Sequence, residues 1–269
     1  MRGVLERART SLRLRALDAR DALAGRRDPL VPPRRMQFVG RGDFAATGDE
    51  FLAYFRDLAG LTPEQHVLDV GCGIGRMARP LANYLDRERG AYDGFDVDRE
   101  GIGWCRRAYG RRHPNFRFQV ADLFNRRYHP GGAHRAADYR FPYEDDRFDL
   151  VVATSVYTHL LEEEAAHYLA ESARVLAPGG RLFATFFVLD EEARARIAAG
   201  ESGLAFLDPG AHVAVLSEDL PEEAVAYDRG WIEQRLAAEG LALQAWRPGT
   251  WSGRADGLSF QDIVVAAHA

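Results

Sequence analysis

The sequence has no lysine, so arginine carries every positive side-chain charge in its 269 residues. Cysteine is almost absent as well, since Cys72 and Cys105 are the only two. Structural metal sites and disulfide frameworks need several Cys or His residues at regular spacings. We therefore predict no metal site and no disulfide, and we place the chain in the reducing cytoplasm.

Long apolar runs are also missing. No stretch approaches the ~20 residues that cross a bilayer, and the N-terminus lacks the apolar core and cleavage site of a secretory signal. Hydrophobic residues make up 46% and charged residues 28% of the chain, the ordinary balance of a globular protein. We expect one large domain, or one domain with appendages.

Charge is distributed unevenly around the formal net charge of −5. Residues 1–45 hold eleven arginines and five acids, so this arm is basic and the remainder of the chain is acidic. An acidic body disfavours nucleic acid as a partner. One apolar helix face in the arm is predicted from Val4, Leu5, Ala8, Leu12, Ala16, Ala19 and Leu23. Such a helix packs on the domain through this face, or it contacts an acidic membrane surface or RNA.

A predicted strand, a glycine turn and a predicted helix follow one another between residues 66 and 85. The strand is short and apolar, as a buried parallel strand is. Gly71, Gly73 and Gly75 then come at every second position, and apolar residues recur after them at helical spacing. Glycine lets the backbone turn sharply and approach a ligand without a Cβ atom in the way. The segment therefore has the form of the opening half of a nucleotide-binding α/β unit.

This turn departs from the dinucleotide-binding fingerprint G-x-G-x-x-G. The third glycine comes one residue early, and Arg76 stands where the fingerprint has glycine. Asp69 ends the strand with a carboxylate that would repel a pyrophosphate but suits an ammonium group. Residues 69–75 resemble motif I of the class I methyltransferases that use S-adenosylmethionine (SAM), which carries an ammonium and a sulfonium and no phosphate. An NAD-dependent oxidoreductase is the alternative for such a turn.

Two more acids follow the second and third predicted strands. Asp96 lies about 20 residues beyond the glycine turn, the separation at which an acid accepts hydrogen bonds from ribose hydroxyls. The resemblance implies that Asp96 binds the ribose of SAM and that Asp122 accepts from the adenine amino group. Asp98 is the alternative to Asp96, although its position also suits an N-cap for the next helix. The resemblance further implies a cofactor site that includes Cys72, Val97, Leu123 and Thr154.

The resemblance covers the chain from about Asp49 to Ala269. It implies an α/β fold: a Rossmann-like doubly wound sheet of seven strands in the order 3-2-1-4-5-7-6, with strand 7 antiparallel. SAM is then expected across the carboxyl ends of the strands, where open α/β sheets bind their ligands.

Two appendages extend this fold. Residues 1–45 are predicted to form the N-terminal helical arm and linker, and residues 46–269 the methyltransferase domain. Within the domain, residues 188–227 are interpreted as a lid inserted after strand 5. We expect the apolar segment 204–207 of this lid to bury against Phe44 of the arm.

The residues after the fourth predicted strand bear on the methyl acceptor. Methylators of amino groups in nucleic acid have an Asn/Asp-Pro-Pro-aromatic motif there, whereas this chain has Ala153–Tyr157 without proline. Cytosine-C5 enzymes use a Pro-Cys nucleophile, and neither cysteine here follows a proline. We therefore expect O-methylation of a small-molecule or sugar hydroxyl. The alternatives are N-methylation of a small metabolite or peptide, and a catalytically idle SAM-binding scaffold.

Two residues past the fourth strand are candidates for catalysis. His159 stands near the expected position of the methyl group, and histidine accepts protons near neutral pH. Tyr157 is the second candidate, as a residue of the SAM or acceptor pocket. For both residues, a structural role in the pocket wall is the alternative. Because in-line positioning alone lowers a barrier by about 7–11 kcal/mol, the lack of a catalytic triad does not argue against an enzyme.

Overall fold

The computed structural model describes residues 13–14, 16–21, 23–25, 28–37, 42–124 and 129–268. From residue 42 onward, its α-helices are α1 (Phe44–Ala59), α2 (Ala78–Tyr84), α3 (Arg99–Tyr109), α4 (Glu162–Val175), α5 (Glu191–Ala198) and α6 (Arg229–Ala238). Its strands are β1 (His66–Val70), β2 (Ala91–Asp96), β3 (Phe116–Val120), β4 (Phe148–Ala153), β5 (Leu176–Phe186), β6 (Val188–Leu189), β7 (Val213–Val215), β8 (Val225–Asp228), β9 (Leu241–Arg247) and β10 (Asp262–His268).

The main sheet has seven strands in the order β3-β2-β1-β4-β5-β10-β9. The strands from β3 to β5 pair in parallel, and β10 is antiparallel to both of its neighbours. Because β10 is the seventh sheet strand along the chain and β9 the sixth, this is the predicted order 3-2-1-4-5-7-6. The α/β doubly wound fold is therefore confirmed, and the carboxyl ends of β1 to β5 share one edge.

Two hydrophobic cores cover the two faces of this sheet, because successive residues of a strand point to opposite faces. On β1, Val67 belongs to the core beneath α1, α2 and α3, while Leu68 belongs to the core beneath α4 and α6. On β4, Leu150 and Val151 divide in the same way. The parallel strands are thus buried on both sides, as their near-continuous apolar sequences predict.

Helix α1 begins earlier than the sequence pattern predicts. The pattern predicts a helix from Asp49, but the Asp43 side chain accepts a hydrogen bond from Ala46 N at 2.8 Å and caps a helix that starts at Phe44. The helix ends at Gly60, whose φ of +63° gives a left-handed cap. The predicted boundary between residues 45 and 46 therefore falls inside the first turn of α1.

Strand β5 also begins earlier than predicted, immediately after α4. The pattern predicts this strand from Arg181, after the Pro-Gly-Gly segment. In the structure, Leu176 already pairs with Phe148, and the pairing resumes with Arg181 opposite Leu150. The residues between them bulge out of the ladder, and Gly179 has a φ of +79°. The Pro-Gly-Gly segment is therefore a bulge within a strand.

The insert after β5 contains a small sheet of its own, which packs on the main domain. Strands β6, β8 and β7 form a three-stranded sheet in that order, and α5 follows β6. A small core joins Leu189 and Phe206 of the insert to Phe187 and Trp251 of the main domain. The predicted contact between segment 204–207 and Phe44 is wrong. Phe44 is the first residue of α1 and packs against Met36 and Ile74 instead.

The N-terminal arm is described only in part. Residues 13–14, 16–21 and 23 are helical, and Val4, Leu5, Ala8 and Leu12 lie outside the described residues. Of the predicted apolar face, Ala16, Ala19 and Leu23 are exposed, so these three do not pack on the domain. The helix instead turns Asp18 inward, where its carboxylate accepts from Arg34 N at 3.2 Å and from the Arg34 guanidinium at 3.1 Å. In the described ranges, no helix combines the length and the apolar character of a membrane span.

Asp262, at the start of β10, holds three segments together. Its fully buried carboxylate accepts from Val188 N of the insert at 2.8 Å, from Gly249 N at 2.9 Å and from Trp251 Nε1 at 2.5 Å. Burial raises the pKa of this carboxyl to about 6 against the lowering effect of the three donors.

We predict that Asp262→Ala lowers the free energy of unfolding at pH 7 by about 3 kcal/mol or more, because three buried donors lose their acceptor. Urea denaturation measures the change. The control is Glu233→Ala, which removes an exposed pair with Arg229 and should cost about 0.5 kcal/mol or less. Equal losses in the two variants would contradict the role given to Asp262.

Candidate functional site

The glycine turn after β1 is held against β2 by backbone hydrogen bonds. The amides of Gly71 and Cys72 both donate to the Phe95 carbonyl, at 2.9 and 3.1 Å. A Cβ atom on Gly71 would come within 2.6 Å of Val156, and one on Gly75 within 3.0 Å of Cys105 Sγ. The first and third glycines are therefore required by packing within the protein.

The middle glycine differs from the other two. Gly73 has a φ of +53°, and a Cβ atom placed on it would meet no described atom within 4 Å. Its side-chain direction therefore opens onto space beside the turn, at the carboxyl ends of the parallel strands. Glycine at this position leaves room for a ligand close to the backbone.

Asp96 lies at the carboxyl end of β2 and faces the glycine turn. Its Oδ2 accepts a hydrogen bond from Gly73 N at 2.8 Å, and its Oδ1 accepts from Asp98 N at 2.8 Å. The burial of the carboxyl group raises its pKa, while these amide donors lower it. Each carboxylate oxygen has a further lone pair, so a partly exposed Asp96 can accept from two adjacent hydroxyls as well.

Asp98 has the structural role that its position suggests. Its side chain accepts from Glu100 N at 3.0 Å and caps the N-terminus of α3. The structure thus separates the two acids: Asp98 begins a helix, and Asp96 remains at the strand end beside the glycine turn.

Asp69 is buried in the body of the sheet beneath the glycine turn. Its Oδ2 accepts from the Tyr92 hydroxyl at 2.7 Å, but among the described residues its Oδ1 has no hydrogen-bond partner. Desolvation raises the pKa of Asp69 to about 7, the Tyr92 hydrogen bond lowers it, and the nearby Asp96 raises it further. A buried acceptor without a donor costs stability, and an ammonium group, directly or through a water molecule, is a donor that would pair with it.

Asp122 follows β3 at the same edge and is held by two side chains that the sequence did not indicate. Its Oδ1 accepts from His129 Nε2 at 2.8 Å and from the Arg99 guanidinium at 3.1 Å. The hydrogen bond from His129 and the charge of Arg99 lower the pKa of the Asp122 carboxyl. The loop that carries His129 folds back on Asp122, whose carbonyl accepts from the amides of Ala133 and His134 at 3.1 Å.

The remaining predicted cofactor residues lie at the same edge but differ in exposure. The side chains of Cys72 and Leu123 are buried in the two cores, so only their backbone borders the site. Val97 and Thr154 are partly exposed, next to Asp96 and to the end of β4. In the described ranges, no group of three or more His, Cys, Asp or Glu side chains could hold a metal ion.

Tyr157, one of the two predicted catalytic residues, lies in the core. Its side chain is fully buried, its ring stacks on Phe186 at a centroid distance of 4.5 Å, and its hydroxyl lies 3.4 Å from Ser172 Oγ. Burial raises the pKa of this hydroxyl. A side chain in this position can support the site from behind, and its role in catalysis stays a prediction.

His159, the other predicted catalytic residue, is partly exposed and fixed by the insert. Its Nδ1 lies 3.0 Å from the Glu222 carbonyl oxygen. Because a carbonyl oxygen only accepts, Nδ1 carries the hydrogen, and the lone pair of the neutral ring is on Nε2. The backbone of the insert thus selects the tautomer in which Nε2 can accept a proton.

The structure adds a polar cluster that the sequence did not indicate. Ser155, just past β4, lies within hydrogen-bonding distance of Gln261, which precedes β10. Thr185, near the end of β5, contacts both residues. These three residues are scattered over more than 100 positions and belong to no motif, so only the sheet order brings them together.

Comparison with known proteins identifies the family of the chain. A methyltransferase-domain family matches residues 67–180. The 27-O-demethylrifamycin SV methyltransferase of Amycolatopsis mediterranei is 30% identical over 221 residues, 76% of this chain and 74% of that protein. The chain belongs to the SAM-dependent methyltransferases. An O-methyltransferase of Penicillium expansum is 32% identical over 134 residues, which are 48% of this chain and 41% of that protein.

Solved structures share the fold of this methyltransferase. A protein from Pyrococcus horikoshii matches with a TM-score of 0.58 and 16% identity, over 87% of this chain and 95% of that one. Magnesium protoporphyrin IX methyltransferase from Synechocystis, solved with bound S-adenosylhomocysteine (SAH), matches with a TM-score of 0.53 and 17% identity, over 88% and 92%. The matches to the first curated relatives span only 37–42% of those proteins' length.

The cofactor of the methyltransferase is SAM, and the residues present fit it. Gly73 opens space beside the turn, and Asp96 offers two carboxylate oxygens fixed by amides. The unpartnered Oδ1 of Asp69 suits an ammonium group, and Asp122 offers an acceptor at the end of β3. The separate roles of these residues remain predictions.

We predict that Gly73→Asn abolishes tight SAM binding and leaves the fold intact. Asparagine tolerates a left-handed backbone, so its main effect is to fill the open space beside the turn. The matched control is Gly240→Asn, because Gly240 has a φ of +72° and equally open surroundings but lies between α6 and β9. Calorimetry should show at least a tenfold loss of SAM affinity in the first variant alone. Equal SAM affinities in the two variants would show that Gly73 does not border the bound cofactor.

We predict that Asp69 makes the cofactor-free protein less stable as the pH rises. The folded protein keeps the Asp69 proton to about pH 7, whereas the unfolded chain loses it near the ordinary value of 3.8. Between these two pH values the folded state binds more protons than the unfolded state, so the free energy of unfolding falls as the pH rises. Above about pH 7 it no longer changes through this group.

Asp69→Asn removes this titration. Relative to the wild type, the variant should therefore gain stability between pH 4 and pH 8, by at most on the order of 4 kcal/mol. Denaturation curves of both proteins at several pH values measure the difference. A difference that stays constant with pH would show that Asp69 is charged in the folded protein throughout.

Proposed function

We propose that this methyltransferase transfers the methyl group of SAM to a hydroxyl oxygen of a small molecule. The observation that carries the proposal is the hydrogen bond between His159 Nδ1 and the Glu222 carbonyl, which orients the imidazole ring at the carboxyl edge of the sheet. An alcohol must lose its proton during methylation, so a fixed base at the carboxyl edge of the sheet suits an oxygen acceptor.

When bound, SAM supplies an electrophilic methyl group on a positively charged sulfur. SAM held by these residues would supply the methyl group to the acceptor oxygen and keep the electron pair on its sulfur, and the hydroxyl proton would pass to His159. The protein contributes position: the glycine turn and Asp96 hold one reactant, and the residues after β4 hold the other.

The insert serves as a lid in this proposal. It supplies the Glu222 carbonyl that binds His159, and Tyr227 of β8 donates its hydroxyl hydrogen to the Leu160 carbonyl. Residues 188–227 are thereby attached to the segment that follows β4. A lid in this position excludes water from the acceptor side, which favours methyl transfer.

Residues 28–37 of the arm contact the glycine turn and the helices α2 and α3 beside it. Met36 packs with Phe44 and with Ile74 of the glycine turn. Asp28 binds Arg79 of α2 at 2.9 Å, and Arg35 binds Glu100 of α3 at 3.3 Å. We propose that residues 28–37 stabilise the turn and that the basic arm before them contacts a membrane surface.

Relatives support the class of acceptor. The names of two relatives, the O-methyltransferase and the 27-O-demethylrifamycin SV methyltransferase, describe transfer to oxygen and to a small molecule. A cytoplasmic setting is also proposed, because Cys72 and Cys105 are both free thiols buried in the fold.

The test is methyl transfer from isotopically labelled SAM to a panel of alcohols, phenols, sugars and amines, with mass spectrometry of the products. We expect O-methylated products. For the best acceptor, His159→Gln should lower kcat by about 10²–10⁴-fold, with little change in SAM affinity.

The control is His212→Gln. His212 is an exposed histidine of the insert that pairs with Glu162 at 3.1 Å, so kcat should stay within about twofold of the wild type. N-methylated products alone would replace the proposal with transfer to nitrogen. SAM binding without transfer to any acceptor would favour an idle scaffold.

A further inference from the structure

Ser155 has a strained backbone at the carboxyl edge of the sheet. Its φ is +59°, in the left-handed region that residues other than glycine rarely adopt. The residue is exposed and directly follows Thr154 at the end of β4. Strain of this kind persists where the surrounding structure holds it in place, and it concentrates at functional sites.

Two side chains hold Ser155 in this conformation. Ser155 N donates to Thr185 Oγ1 at 2.7 Å, and Thr185 donates its own hydroxyl hydrogen to Gln261 Oε1 at 2.6 Å. The amide oxygen of Gln261 therefore faces Thr185, and its Nε2 donates to Ser155 Oγ at 2.9 Å. Thr185 is fully buried, so it holds this arrangement from inside the protein.

The direction of these bonds determines what the Ser155 hydroxyl can do. Its oxygen accepts from Gln261, so its hydrogen points elsewhere. The only other described partner is Thr158 Oγ1 at 3.5 Å, which is longer than the 2.5–3.0 Å of an ordinary O–H···O bond. The exposed Ser155 hydroxyl therefore presents a donor at the carboxyl edge of the sheet, just past β4.

An exposed aromatic ring lies on the same segment. Phe260 immediately precedes Gln261, and 55% of its surface is exposed. The ring is supported from one side by Phe187, which follows β5, at a centroid distance of 6.1 Å and an interplanar angle of 86°. A supported aromatic ring offers apolar area with little loss of conformational entropy on binding.

We propose that Ser155 binds the oxygen that receives the methyl group, and that Gln261 and Thr185 are its positioning residues. Phe260 packs against the body of the acceptor, which is an aromatic or otherwise apolar alcohol and not a sugar. This inference rests on the proposed transfer to oxygen.

The bonding capacity of an alcohol oxygen agrees with this assignment. One lone pair forms the new bond to the methyl carbon, and the hydroxyl proton goes to His159. The second lone pair then accepts the hydrogen of Ser155. Serine is too weak a base to take the proton itself, so it orients the oxygen while His159 acts on the proton.

The experiment uses 2-naphthol as the apolar probe and methyl glucoside as the sugar probe, on the full chain. Binding is measured by quenching of naphthol fluorescence with the protein saturated with SAH, and transfer is measured in separate reactions with labelled SAM and no added SAH. We expect naphthol to bind and to be methylated, without competition from the glucoside. Phe260→Ser should weaken naphthol binding about tenfold.

Two variants isolate the role of the serine. Ser155→Gly removes the hydroxyl and relieves the backbone strain, so we expect an equal or higher melting temperature together with about a tenfold higher KM for naphthol. Gln261→Glu accepts from Ser155 instead of donating to it and should raise KM similarly. The control Gln244→Glu, at an exposed position on β9, should change neither value.

The outcomes separate this inference from the proposed function. Unchanged KM in the Ser155 and Gln261 variants, with transfer to naphthol intact, would overturn the inference and leave O-methylation standing. Methylation of the glucoside but not of naphthol would overturn the acceptor class. SAH binding without binding of naphthol would do the same. Loss of transfer to every hydroxyl probe would overturn the proposed function, and this inference with it.

Discussion

The site depends on one hydrogen bond between two strand ends. The Gly73 amide donates to Asp96 at 2.8 Å and so ties the turn after β1 to the end of β2. This bond needs a carboxylate at the end of one strand and a turn with a left-handed backbone after its neighbour. Parallel pairing supplies both at once, because adjacent strands of the sheet end at the same edge.

Much of the fold and of the site could be predicted from the sequence, because both depend largely on local sequence patterns. The apolar runs of β1 and β4 indicate strands buried on both faces, and three glycines after β1 require a turn there. The resemblance to class I methyltransferases then predicted the strand order and the position of Asp96 at the end of β2, because residues at a fixed spacing in a motif occupy fixed places in the fold. Even Asp98 was placed correctly, because a helix cap is a local feature.

Features that depend on distant parts of the chain could not be predicted. The cluster around Ser155 joins the ends of three sheet strands, and no spacing in the sequence reports that arrangement. Phe44 was assigned the wrong neighbour, because its apolar character says that it is buried but not against which residues. Tyr157 shows the same ambiguity: an aromatic residue beside an active site can face the ligand or the core.

The carboxylate of Asp262 has a consequence for how this protein can diversify. It binds the first amide of the insert and also the segment between β9 and β10. The insert is therefore anchored by its main chain, and almost any residue type at position 188 provides the required N–H. Proline is the exception, because it has no amide hydrogen. Exposed side chains of the insert can thus vary in evolution without loss of this main-chain anchor, whereas Leu189, Phe206 and Tyr227 also hold the insert through their side chains.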